Sequence, residues 1–136
     1  YTMSEFNQKA EELRKITDVH YNCAQAVLVP FADKIGIDEE KLFKITANFG
    51  SGMKRGATCG AITAGLMVLG LFGLEDAATI GVYYNRLKDN HEGKLDCVDL
   101  LRINKEKGGD RKVHCDGMIQ EVITLVEEIL IEKGII

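Results

Sequence analysis

Apolar residues recur at three- and four-residue intervals along most of the chain, the period of a helix face. Ser4 is placed to cap a first helix carrying Phe6, Ala10, Leu13 and Ile16 on one side. Asn22 caps a second, from Cys23 to about Ile35, which Gly36 ends and Pro30 kinks. Asp38 caps a third, with Leu42, Ile45 and Phe49 along one side. Thr58 caps a fourth, Cys59 to about Phe72, apolar on nearly every face and so suited to the centre of a bundle. A fifth runs from Asp76 to His91, with Ile80, Tyr84 and Leu87 on one face and Val82 and Tyr83 on another; Gly93 ends it. Asp96 caps a short sixth, Cys97 to about Ile103, and the charged stretch Asn104 to Lys112 reads as a surface loop. The last helix starts near Asp116 and holds Ile119, Val122, Ile123, Val126 and Ile129 at helical spacing. No segment alternates over enough residues to predict a strand. The expectation is an all-α fold: one domain over residues 1–136, a compact bundle of six to seven helices around a central apolar helix at 59–72.

The length of 136 residues suffices for one buried core. A net charge of −4 disfavours nucleic acid, which needs a basic face. The longest uncharged run, Gly56 to Leu74, just reaches the lower limit of a membrane span, but its glycines suit a buried helix better, and no membrane insertion is expected. No N-terminal stretch has the basic-then-apolar pattern of a signal peptide, so a cytoplasmic location is expected. Tyr1 and Thr2 precede Met3 and read as a remnant added ahead of the native start. In a reducing compartment the four cysteines, Cys23, Cys59, Cys97 and Cys115, point to thiol redox chemistry or metal binding rather than permanent disulfides.

The stretch GSGMKRGATCGAITAG, residues 50–65, carries five glycines and one of the cysteines. A dinucleotide fingerprint needs a strand before its glycines, and a helix is predicted there. A phosphate-cradling P-loop needs Gly-Lys-Ser/Thr, and the order here is Lys54-Arg55-Gly56. The glycines instead suit clearing space ahead of Cys59 and admitting its helix to a tight core. Gly60, Ala61, Ala64 and Gly65 form a smooth face for close helix approach. Cys23, Cys59 and Cys97 each follow a capping residue, and Cys115 abuts Asp116. All four therefore fall at or beside a predicted helix start, where free backbone N–H groups and the helix dipole stabilise a thiolate. The separations of 36, 38 and 18 residues carry no metal-site signature, and C-x-x-C-H is absent. His20 and His114 lie near Cys23 and Cys115 and read as surface residues ahead of proton-sharing or metal-binding ones; His91 reads as a favourable residue at a helix C-terminus.

The segments NCAQAVL, FGSGMKRGATCGA, CGAITAG and CVDLL, with Cys115 as the fourth cysteine, resemble the C_GCAxxG_C_C family, labelled "putative redox-active" from its cysteines. The order Cys59-Gly60-Ala61 departs from the Gly-Cys-Ala of the family name, and Gly65 falls one position late, but small residues hold these places. Related domains occur in a haem protein of the split-Soret cytochrome type; without an attachment motif, haem is not carried over. The leading expectation is a thiol redox protein that needs no cofactor and exchanges electrons with a partner protein through dithiol and disulfide. Cys59 is its expected attacking thiolate, with one of Cys23, Cys97 or Cys115 resolving. The alternatives are a zinc or iron–sulfur module held by Cys23, Cys59, Cys97 and Cys115, and a helical interaction protein with incidental cysteines. A homodimer through the small-residue face stays open, as do all three cysteine pairings.

Overall fold

The structure, a computed structural model, describes residues 4–136; the expectation about Tyr1 and Thr2 lies outside the described residues. Eight α-helices follow in order: α1 (Glu5–Lys15), α2 (Cys23–Leu28), α3 (Ala32–Ile35), α4 (Glu39–Ile45), α5 (Gly60–Leu71), α6 (Ala77–Asn90), α7 (Cys97–Glu106) and α8 (Arg111–Glu132). Among the described residues there is no strand, only an isolated antiparallel bridge between Thr58 and Asp96. The fold is all-α, as the periodicity predicts. The count rises from six or seven to eight because Pro30 does more than kink: Val29–Phe31 tightens into a 3₁₀ turn that divides the Cys23–Ile35 segment.

The predicted central helix exists almost to the residue. α5 packs against α2 and α8, and its Ala61, Ile62, Ala64, Val68 and Leu69 are fully buried. The small-residue face is a steric requirement at Gly65. A Cβ there would stand 2.1 Å from the Tyr83 hydroxyl and 2.7 Å from a Val122 methyl. Tyr83 fills that space and donates its hydroxyl to the Ile62 carbonyl at 2.7 Å. It is thus a core residue, while Val82 beside it is exposed. No helix among the described residues is long and apolar enough to cross a membrane.

Capping residues behave as read from the sequence at four helix starts. Ser4 and Asn22 form reciprocal capping boxes with Asn7 and Gln25, and Asp76 accepts from the Thr79 amide at 2.9 Å. Asp96 stands at the N-cap of α7 without a side-chain bond. Ile16 and Ile45, expected on apolar faces, are exposed, because α1 and α4 stop at Lys15 and Ile45. The largest correction concerns residues 104–116. Helix α7 continues to Glu106 and α8 begins at Arg111, so only Lys107–Asp110 is loop. Asp110, not a residue beside Cys115, is the N-cap; its carboxylate accepts from the Val113 amide at 3.0 Å.

Candidate functional site

The local backbone brings three cysteines to helix starts and the fourth beside them. Cys23 is the first residue of α2, behind the Asn22 cap. Asn22 is itself pinned: its side-chain amide donates to the Ala47 carbonyl at 3.2 Å, and Gly50 lies so close that a Cβ would be 2.7 Å from Asn22 Cβ. Cys59 is the N-cap of α5, the place expected for Thr58. Cys97 opens α7. The Cys59 amide donates to the Leu95 carbonyl at 2.9 Å and the Cys97 amide to the Ala57 carbonyl at 2.7 Å. Those two bonds flank the Thr58–Asp96 bridge and tie the starts of α5 and α7 together. Because α8 begins at Arg111, Cys115 lies in its second turn rather than at its start.

The glycine-rich approach has a different task from the one expected. Residues Gly52–Gly56 wind into a tight turn closed by the Ala57 amide on the Gly52 carbonyl at 2.9 Å. Gly52 has φ +62°, and a Cβ would stand 2.2 Å from the Ala57 oxygen. At Gly60 a Cβ would stand 2.5 Å from the Phe49 oxygen, so only glycine lets α5 start this close to the chain. The result covers Cys59, which is 6% exposed, instead of opening it.

All four cysteines line one partly enclosed cavity of about 460 Å³, together with Arg14, His20, Arg111, Lys112 and His114. The four are reduced. The Cys23 thiol is hydrogen-bonded to the Cys115 sulfur, which holds the Cys115 thiol down at about 6; Arg14 and Arg111 pull the same way against the desolvation that opposes them. In return the Cys23 thiol is pushed up by that bond and by burial. Burial pushes the Cys59 thiol up to about 11, although the amides of Ile62 and Ala61 at the start of α5 favour its thiolate. Burial also raises the Cys97 thiol. One sulfur of the four is therefore the preferred thiolate, and it is Cys115.

Two residues that carry this asymmetry escaped the sequence reading. Arg14, at the end of α1, donates from Nε to Asp116 at 2.6 Å and from Nη1 to the Tyr21 carbonyl at 2.8 Å, which fixes its charge near Cys115. Nothing local to Cys115 announces an arginine from α1. Arg111 stands one helical turn before Cys115 and hydrogen-bonds its sulfur. That spacing is legible only once α8 is known to start at Arg111. His20 and His114 both line the cavity, and burial lowers the proton affinity of His114. His91 is not merely a helix-end residue: its Nε2 lies 2.8 Å from a Glu121 carboxylate oxygen.

Among the described residues, no group of three or more histidines, cysteines or carboxylates is arranged to hold a metal ion. What the geometry does provide is a hydrogen-bonded thiol pair, two further thiols and a cationic rim in one cavity. Neither a curated protein nor a solved structure matches the chain. The family model described as "Putative redox-active protein (C_GCAxxG_C_C)" matches residues 21–129, most of the length, and the chain belongs to that family.

Proposed function

We propose that the protein is a dithiol–disulfide redox protein in which Cys115 attacks and Cys23 resolves. The observation that carries this reading is the Cys23–Cys115 hydrogen bond beside two arginines, which makes Cys115 the thiolate and puts a second sulfur next to it. A thiolate attacks a disulfide sulfur, and the mixed disulfide is cleared by a neighbouring thiol. Cys59, the attacker expected from the sequence, is disfavoured by its burial and its raised thiol. Cys59 and Cys97, held together through the α5–α7 backbone bridge, form a second sulfur pair behind the first.

The test is titration with one equivalent of a mild thiol oxidant, followed by peptide mapping. The expected result is the loss of two thiols per chain, with Cys23 joined to Cys115. A linkage that leaves Cys115 free would overturn the assignment. So would purified protein that is brown or carries near-stoichiometric zinc or iron on Cys23, Cys59, Cys97 and Cys115, which is the metal-module reading.

A further inference from the structure

The chain is acidic, yet the mouth of the thiol cavity is not. Arg14, Arg111 and Lys112 line it, with Asp110 as the only carboxylate among the lining residues. The nearby acids are already engaged. Asp116 takes Arg14 at 2.6 Å and Lys112 at 2.9 Å. Asp110 accepts from the Val113 amide as the α8 cap. Among the described residues no carboxylate lies within ion-pair distance of Arg111, whose recorded partner is the Cys115 sulfur. A guanidinium has five N–H donors in a planar fork, so most of Arg111's donors are free to face the cavity. The space is the size of a small-molecule site rather than a flat protein footprint.

We infer that the substrate of this site is a small disulfide bearing carboxylate groups, received by Arg111 and delivered sulfur-first to Cys115. The inference rests on the dithiol reading above. In chemical terms, the Cys115 thiolate attacks one sulfur of R–S–S–R, the S–S bond breaks, and R–S⁻ leaves to take a proton from solvent. Cys23 then attacks the Cys115 sulfur, its proton passing to the second departing R–S⁻. The protein dithiol is oxidised by two electrons to the Cys23–Cys115 disulfide, and R–S–S–R is reduced to two R–SH. Arg111 binds a substrate carboxylate with donors the sulfur does not use, and once the thiolate is consumed its whole fork is available to the attached R group.

The experiment compares stopped-flow oxidation of the reduced protein by dithiodipropionate, hydroxyethyl disulfide and cystamine, which carry two negative charges, none and two positive charges. Each rate is divided by that of a free small thiol with the same reagent, to remove intrinsic reactivity. The normalised rates are expected to fall in that order, by about tenfold from anionic to neutral, and to converge in high salt. Arg111→Gln should reduce the anionic-to-neutral ratio about fivefold or more, and Arg111→Lys should restore part of it. Using the ratio cancels any effect of the variant on Cys115 itself. Equal normalised rates, or cystamine fastest, would overturn the substrate class while leaving the dithiol reading intact. Failure of all three reagents to form the Cys23–Cys115 disulfide would sink both.

Discussion

Cys59 and Cys115 line the same cavity, and their thiols are displaced in opposite directions. Cys59 has what the helix-start argument asks for: it is an N-cap, with the amides of Ile62 and Ala61 favouring its thiolate. Cys115 lies a full turn inside its helix, beyond that advantage. Yet Cys115 is the more acidic. The difference lies in what surrounds each sulfur. Cys59 is buried against α2 and the Phe49 backbone, and desolvation outweighs the amides. Cys115 is only half-buried, with a thiol donor and two guanidinium groups around it. Full charges and a direct hydrogen bond at a partly solvated sulfur outweigh helix-end partial charges at a dry one.

The sharpest way to break this comparison is to alkylate the reduced protein at pH 7 and follow each cysteine by mass. With thiols at about 6 and about 11, Cys115 is mostly thiolate and Cys59 almost wholly protonated. The weaker intrinsic nucleophilicity of a more acidic thiol recovers part of that gap, leaving Cys115 about fiftyfold faster before burial is counted. Equal rates would remove the basis for assigning attack to Cys115.

A smaller effect should follow from loosening the Cys59 side. Gly60→Ala puts a methyl where the Phe49 oxygen now lies 2.5 Å from the Cβ position. The start of α5 must shift, at a cost of about 1–3 kcal/mol for overpacking a tight contact. A denaturant titration reads the cost as a lower midpoint at unchanged slope. The same shift should admit reagent to Cys59 and narrow the alkylation gap. A variant of wild-type stability would show that the glycine is not needed for this approach.

The contrast also shows which physical signals a sequence carries. Helix α5 was legible because its near-continuous apolarity requires a central position, and its glycines because small residues at that spacing allow close contact. The helix containing Cys115 was legible only from Met118 onward, where buried side chains recur. Its first turns, with exposed Arg111, Lys112 and Val113, have no apolar face to announce them, and Lys107–Asp110 and the adjoining turns share one charged composition. All four site cysteines were identifiable as residue types, but not their roles. Those depend on Arg14, which α1 brings to the cavity mouth, and on the meeting of the α2 and α8 sulfurs.

The smallest effect is on stability against pH, and its sign separates the two cysteines. The folded Cys115 thiol sits at about 6, below its ordinary value of 9.0, so its contribution is lost as pH falls through 6 and complete only above 9. The folded Cys59 thiol sits at about 11, above 9.0, so its contribution is present below 9 and lost as pH rises through 11. The raised thiols of Cys23 and Cys97 act in the same alkaline direction. Unfolding free energy in a reducing buffer should therefore climb from pH 6 to 9 and then decline. The rise is on the order of 1 kcal/mol once the partial exposure of Cys115 is allowed for. Burial lowers His114 from 6.5, which adds a rise of its own that ends near that pH. Subtracting the Cys115→Ser profile from the wild-type profile cancels the histidine and leaves the thiol. A difference that is flat between pH 6 and 9 would mean that the Cys115 thiolate has no special stabilisation in the fold, whatever its neighbours.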